Sequence, residues 1–271
     1  MIVVTGATGN VGRPLVQALA EAGEQVTAVS RRAAGLPEGV THRQVDLAAS
    51  GSLAPLLEGA DALFLLVQGE DPQGVVDAAA AAGVRRIVLL SSQGAGTRPE
   101  VYRHPRAFED ALRQSGLEWT VLRPGGFHSN AFGWAQTVRS QRTVAAPFGD
   151  VALPSVDPAD IAEVASVVLR QGGHAGRTYE LTGPAAITPR GRARAIGDAL
   201  GEQVRFVEQS REQARAELLQ VMPEPVVEGT LAILGEPVPA EQQVSPDVEH
   251  LLGRPARTFA DWVAGNLAAF R

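Results

Sequence analysis

Ile2-Val3-Val4-Thr5-Gly6-Ala7-Thr8-Gly9-Asn10-Val11-Gly12 is the stretch whose reading decides the fold. Three apolar residues in succession read as a buried strand, and glycines at Gly-x-x-Gly-x-x-Gly spacing lead into helical periodicity over 11–22. Gly6 permits the tight turn, Gly9 lets the backbone approach a diphosphate, and Gly12 lets the helix pack closely on the strand. The N–H groups at the start of that helix have no intrahelical acceptors and favour negative phosphates. The segment predicts a dinucleotide site built from Gly6, Thr8, Gly9, Asn10, Val11 and Gly12.

Working outward, short apolar runs recur at 25–29, 62–67, 87–90 and 118–122, with a weaker strand at 41–45. Helical stretches at 72–82 and 105–115 lie between them, and Gly23, Gly83 and Gly116 stand at or just past helix ends. Continuous apolar runs suit parallel strands buried on both faces. Alternation of this kind predicts an α/β, Rossmann-type doubly wound parallel sheet. From about 124 the pattern is less regular. It predicts helices at 158–170, 188–200, 210–221, 224–234 and 256–270, a strand at 178–182, and a surface connection at 235–246. The expected organisation is a nucleotide-binding domain over 1–150 and a smaller, mostly helical substrate lobe over 151–271, interleaved near the boundary, with a substrate cleft between them.

The end of the second strand selects the dinucleotide. An acidic residue there would hold the ribose hydroxyls of NAD, but the sequence reads Val29-Ser30-Arg31-Arg32. Ser30 and Arg31 can hold a 2′-phosphate, the arginine through a charge-assisted pair; a solvated pair of arginines is the alternative. NADP(H) is therefore preferred, with NAD(H) still accommodated. Asp46, with Leu47 beside it, follows the candidate strand at 41–45 and is placed to receive the adenine amino group; an ordinary loop aspartate is the other reading.

Composition removes several chemistries. The chain has no cysteine, which excludes disulfides and thiolate sites, and all 24 basic residues are arginine, which excludes a Schiff-base lysine. A net charge of −6 argues against nucleic acid or anionic membrane as a general partner. The chain opens directly on an apolar strand, and no apolar stretch approaches the roughly 20 residues of a membrane span, so a cytoplasmic place is expected. The five histidines show no metal spacing, and no metal site is expected. Arg190, Arg192 and Arg194 read as a solvated helix face.

With Ser91-Ser92 after the run at 87–90 and Leu122-Arg123-Pro124-Gly125-Gly126-Phe127, the glycine turn resembles the atypical short-chain dehydrogenase/reductases of the NmrA-like group. Ser155 to Ala162, Tyr179 to Pro184 and Leu252 to Phe259 also look like that group, so the resemblance covers nearly the whole chain. The family includes NADPH-dependent reductases of quinones and redox sensors that bind the cofactor without turnover. The resemblance implies that Pro124, Gly125, Gly126 and Phe127 pass beside the nicotinamide, that Leu66, Val67 and Gln68 line its ribose side, and that Ser91 and Ser92 belong to the cofactor site. It further implies that Phe127, His128, Asn130 and Trp134 face substrate; core packing is the competing reading for Phe127 and Trp134.

Typical members of the wider superfamily use a Tyr-x-x-x-Lys pair, in which the lysine lowers the tyrosine pKa. The equivalent here is Tyr102-Arg103-His104-Pro105-Arg106, so Tyr102 and Arg106 are the catalytic candidates, with Pro105 disfavouring a shared helical face. Without a lysine relay, reduction suits a quinone or conjugated aromatic carbonyl, whose reduced form is a weakly basic phenolate, better than an isolated ketone. The expectation is an NADPH-dependent quinone-type oxidoreductase acting on a small planar aromatic substrate. A polyketide anthraquinone of secondary metabolism, with a role in a two-component hydroxylation, is one such case. An NADP(H) sensor and an NAD-dependent epimerase are the alternatives, and monomer or homodimer both fit.

Overall fold

Side chains that alternate between two faces explain why each apolar run becomes a strand. In the computed structural model, which describes residues 1–32, 35–46 and 52–271, the elements in chain order are β1 (Ile2–Thr5), α1 (Gly12–Glu21), β2 (Val26–Ser30), β3 (Thr41–Gln44), β4 (Ala62–Leu66), α2 (Pro72–Ala81), β5 (Arg86–Leu90), α3 (Gly94–Thr97), α4 (Arg103–Gln114) and β6 (Glu118–Pro124). They continue through α5 (Ala135–Gln141), β7 (Thr143–Ala146), α6 (Pro158–Arg170), β8 (Arg177–Leu181), α7 (Pro189–Leu200), β9 (Arg205–Glu208), α8 (Arg211–Leu218), α9 (Glu224–Gly235), α10 (Pro239–Gln242), α11 (Asp247–Leu252) and α12 (Phe259–Gly265).

The chain divides into two compact units that interleave in sequence. The first holds Met1–Pro124, Pro158–Leu181 and Asp247–Arg254; the second holds Gly125–Asp157, Thr182–Pro246 and Pro255–Arg271. Residues 125–150 thus lie in the second unit, while α6, β8 and α11 lie in the first.

In the first unit, seven parallel strands run in the order β3-β2-β1-β4-β5-β6-β8. Register puts Val3, Leu63, Ile87 and Val121 on one face, where they pack with Val76 and Ala79 of α2 and Phe108, Ala111 and Leu112 of α4. The alternate residues Val4, Phe64 and Val88 are buried too. A strand buried on both faces therefore shows a continuous apolar run and no polar alternation. The doubly wound parallel sheet expected from the sequence is the fold, and β3, the weakest candidate, pairs with β2 from Thr41 to Gln44.

One local reading is corrected. Pro105 does not interrupt α4, which starts at Arg103 and carries His104 within it. Proline is tolerated in a first turn because the N–H it lacks would have no intrahelical acceptor there.

The second unit is mostly helical around a core of Val138, Val144, Ile196, Phe259, Trp262, Val263 and Phe270. It also contains a two-stranded parallel sheet, β7 with β9, which sequence periodicity did not reveal. Each strand has only four residues, and each pairs with a segment some sixty positions away. The helix expected over 256–270 is shorter: Thr258 and Asp261 form a capping box that starts α12, and a 3-10 turn over Leu267–Ala269 follows it.

Candidate nucleotide site

The glycine turn is built by contacts that leave no room for side chains. Gly6 has φ of +62°, and a Cβ there would strike Leu66. A Cβ on Gly12 would collide with the Gly6 carbonyl and sit 2.9 Å from the Ala7 Cα. The turn is tied down by Gly9 N–H donating to the Gly6 carbonyl (2.9 Å) and Ala7 N–H donating to the Val29 carbonyl (3.1 Å). Thr5 Oγ1 donates to the Phe64 carbonyl and accepts from Leu66 N–H, both at 2.9 Å, which locks the carboxyl ends of β1 and β4 together. No side chain caps α1, and its first turn carries no acidic residue. Its positive end is thus left for an anion from outside the chain.

Beside this turn lies a cavity of about 430 Å³. Gly6, Thr8 and Gly9 form one wall, Leu66 and Gln68 another, and Val29, Ser30, Arg31, Arg32 and Val45 the third. These residues follow the carboxyl ends of β1, β2 and β4, where a doubly wound sheet receives ligands. The cradle fits a dinucleotide: steric space at the glycines, a helix end for the diphosphate, and cations for a further phosphate.

The third wall carries its own hydrogen bonds. Ser30 Oγ donates to the Arg32 carbonyl (2.7 Å), so it must accept from His42 Nε2 at 2.9 Å. Its only proton is committed to shaping the bend after β2. Arg31 and Arg32 are exposed, and no described residue bonds either guanidinium. Arg31 and Arg32 line the cavity side by side, next to Ser30. Asp46 is exposed, and the cavity is lined by Val45 one position earlier. Leu47 lies outside the described residues. Asn10 is exposed, Val11 is buried at the N-cap of α1, and Val67 packs against the sheet core.

Beyond β5 the structure reveals a buried ionic cluster that the sequence reading missed. Ser91 donates to Glu109 Oε1 (2.7 Å), and Arg123 grips the same carboxylate through Nε (2.9 Å) and Nη2 (2.7 Å). Arg113 adds a fourth bond at 2.8 Å to a glutamate side chain with no exposed surface. Burial opposes ionisation of Glu109, but the hydrogen bonds from Arg123 and Ser91 outweigh it and hold its carboxyl below the ordinary range. Glu180, 3.3 Å from Arg123 Nη1, is pushed the other way, mainly by burial, and its Oε2 has no hydrogen-bond partner. Ser92 Oγ accepts from Gly94 N–H at 3.2 Å. Both serines thus shape the loop after β5. The only sequence signal for Glu109 was a carboxylate on the apolar face of an amphipathic helix.

Tyr102 caps α4 in a non-helical conformation, and its ring lies so close to Gly94 that a Cβ there would be 2.5 Å from it. Arg106 turns away to Asp110, with Nε at 3.1 and 3.2 Å from the two carboxylate oxygens. Arg106 is therefore engaged by Asp110, and its charge is already compensated.

In the second unit, Gly126 and Phe127 bridge to Val156: Val156 N–H donates to the Gly126 carbonyl (2.8 Å) and His128 N–H to the Val156 carbonyl (2.9 Å). His128 is buried, with Nδ1 2.9 Å from Ser155 Oγ and Nε2 3.4 Å from the Arg257 carbonyl. A carbonyl only accepts, so the Arg257 contact is one to which Nε2 donates. Trp134 packs half-buried against the helical core, and Asn130 is exposed. Pro124 ends β6 in the first unit, and Gly125 begins the second.

Comparison with known proteins agrees with this geometry. A family model described as NAD(P)H-binding matches residues 6–171. A reductase of Streptomyces griseus named for (4-alkanoyl-5-oxo-2,5-dihydrofuran-3-yl)methyl phosphate is 41% identical, across 100% of this chain and 99% of its own. An NAD(P)H azoreductase of Xenophilus azovorans is 32% identical, across 100% and 99% of the two chains. The crystal structure of the Escherichia coli NADPH-dependent quinone oxidoreductase with NADPH superposes with a TM-score of 0.82 at 28% identity, covering 98% of this chain and 99% of that one. The chain belongs to the NAD(P)H-binding family and is an NAD(P)H-dependent oxidoreductase of the quinone-reductase and azoreductase type.

Proposed function

We propose that this protein uses NADPH to reduce a conjugated carbonyl compound, either a quinone or an enone whose double bond is flanked by electron-withdrawing carbonyls. The observation that carries the reading is the state of the proton relay: the chain has no lysine, and Arg106 is bound to Asp110 rather than to Tyr102. When bound, the reduced cofactor supplies a hydride. Gly6, Gly9 and the start of α1 hold its diphosphate, and Arg31 and Arg32 hold its 2′-phosphate. Leu66 and Gln68 limit the cavity at the end of β4.

A reduced isolated ketone is a strongly basic alkoxide and needs a positioned acid, worth about 10²–10⁴ in rate. A reduced quinone is a phenolate and a reduced enone an enolate, and both can take their proton from water. A protein that orients a planar acceptor and excludes water suffices for them. The Streptomyces griseus relative supports the enone branch: the compound in its name has a ring double bond next to a ring carbonyl and an alkanoyl group. A polyketide-type anthraquinone, reduced in secondary metabolism ahead of a two-component hydroxylation, is an instance of the quinone branch. No helix among the described residues is long and apolar enough to cross a membrane, and we place the reaction in the cytoplasm, where NADPH is regenerated.

Stopped-flow oxidation of NADPH against a panel of quinones, acylated butenolides and isolated cyclic ketones tests this. Turnover of the first two classes and at least about a hundredfold less of the third is expected from the missing relay. Comparable rates on isolated ketones, or no turnover of any acceptor despite tight NADPH binding, would overturn it.

A further inference from the structure

His42 belongs to no motif and does not line the nucleotide cavity, yet it is tied to the cavity's cationic wall. It lies on β3, the strand at the edge of the seven-stranded sheet, with its side chain half-buried. Register pairs His42 with Ala28 and Ser30 with Gln44. The imidazole therefore reaches two positions along β2, on the face it shares with Ser30, and its Nε2 lies 2.9 Å from Ser30 Oγ. Ser30 gives its own proton to the Arg32 carbonyl at 2.7 Å. A hydroxyl has one proton, so the hydrogen of the His42 contact is carried by Nε2. Ring N–H, hydroxyl and carbonyl form one directed chain, and among the described residues the ring has no other hydrogen-bond partner.

That chain ends on the backbone of the bend that carries Arg31 and Arg32, both of which line the cavity. Up to Ser30 the end of β2 is held by its neighbours: Ala7 N–H donates to the Val29 carbonyl and Val45 N–H to the Ser30 carbonyl, each at 3.1 Å. Past Ser30, the bond to the Arg32 carbonyl is the one hydrogen bond to this bend among the described residues. An exposed arginine has many rotamers, and it binds an anion more tightly when the backbone it extends from is already in place. With its proton committed, Ser30 has nothing to donate to a phosphate. Its part, and that of His42 behind it, is to hold the bend.

We propose that His42 is a positioning residue for NADP(H) selectivity: through Ser30 it fixes the bend after β2, so that Arg31 and Arg32 are presented together to the 2′-phosphate. This rests on the reading above in which those arginines receive that phosphate, and it names the residue that presets them. The effect is confined to nucleotides with a 2′-phosphate, because the diphosphate cradle at Gly6, Gly9 and Gly12 is shaped by its own contacts.

The test is a calorimetric titration of the full-length protein with NADPH, NADH and adenosine 2′,5′-bisphosphate. His42→Leu and Ser30→Ala should each weaken NADPH and the bisphosphate about three- to tenfold, the scale of one hydrogen bond, and change NADH by less than about twofold. His42→Phe, which keeps a ring without the donor, carries the same expectation if the leucine variant does not accumulate. His42→Gln, whose amide N–H can donate where Nε2 did, should keep the wild-type ratio of NADPH to NADH affinity. The double variant His42→Leu with Ser30→Ala should bind NADPH within about twofold of Ser30→Ala alone, because both substitutions cut one chain. A leucine variant that keeps the wild-type ratio, or that loses NADPH and NADH equally, would overturn the assignment. So would a glutamine variant as weak as the leucine one, or additive losses in the double variant. The underlying reading fails differently: a wild type that binds NADPH and NADH alike removes the 2′-phosphate site itself, whereas NADPH lost in Arg31→Ala but kept in His42→Leu removes the role of His42 alone.

Discussion

Arg31→Ala should convert an NADPH-selective protein into one that treats NADPH and NADH nearly alike. Arg31 is exposed, and no described side chain neutralises it, so its interaction with an arriving phosphate is not shared with an internal partner. Two unit charges 4 Å apart attract by about 1 kcal/mol in bulk water and about 4 kcal/mol at an effective dielectric of 20. A 2′-phosphate carries about −1.5 to −2 charges near neutrality. Exposure places Arg31 near the aqueous limit, so about 1–3 kcal/mol is lost, a 5- to 150-fold weakening of NADPH. NADH, which lacks that phosphate, should change by less than about twofold. Fluorescence titrations of both nucleotides at low and high salt measure this, and screening should weaken NADPH binding to the wild type far more than to the variant. Equal loss of both nucleotides, or an NADPH affinity indifferent to salt, would refute the reasoning. Arg32→Ala should produce a similar change, because both arginines line the same wall.

Other consequences follow from particular contacts. Gly12→Ala drives a methyl group into the Gly6 carbonyl; overpacking of this kind costs about 1–3 kcal/mol, and calorimetry should show weakened binding of both nucleotides, since the diphosphate cradle itself is displaced. Glu109→Gln leaves Arg123 with Glu180 as its one remaining ion-pair partner among the described residues, on Nη1 alone at 3.3 Å, so chemical denaturation should report a loss of up to about 3–5 kcal/mol. Because the folded pKa of Glu109 lies below its unfolded value, its contribution is present above the ordinary carboxylate range and disappears as the pH falls through and below it. Wild type and variant should therefore converge in stability in acid; a constant gap at all pH values would contradict that account. Tyr102→Phe should leave kcat for a quinone within about threefold of wild type, well short of the 10²–10⁴-fold loss of a general acid; a loss on that scale would return Tyr102 to the chemistry.

Much of the first unit was legible because its signals are local. The Gly6, Gly9 and Gly12 spacing reports steric clearances within one turn, and glycine positions of this kind tolerate little else. The parallel strands announced themselves as apolar runs because both faces of the sheet are covered. The absence of an acid after β2 foretold a cationic wall. The second unit was less legible. β7 and β9 are four residues each, and what makes them strands is their mutual pairing, which no window of sequence contains. The same holds for Glu109: a carboxylate on α4 becomes a buried ion only because Arg123 on β6 and Ser91 after β5 arrive beside it.

The sequence by itself therefore determined the doubly wound sheet, the dinucleotide turn and the chemistry that a chain without lysine or cysteine can perform. Those depend on residue type, steric size and short-range periodicity. Only the tertiary structure decided that Ser30 spends its proton on the Arg32 carbonyl, that Val45 rather than Asp46 lines the cavity, that Arg106 belongs to Asp110, and that Arg192 Nε is buried with no hydrogen-bond partner among the described residues. A side chain's role is set by which other groups lie within about 3 Å of it, and those groups come from distant parts of the chain.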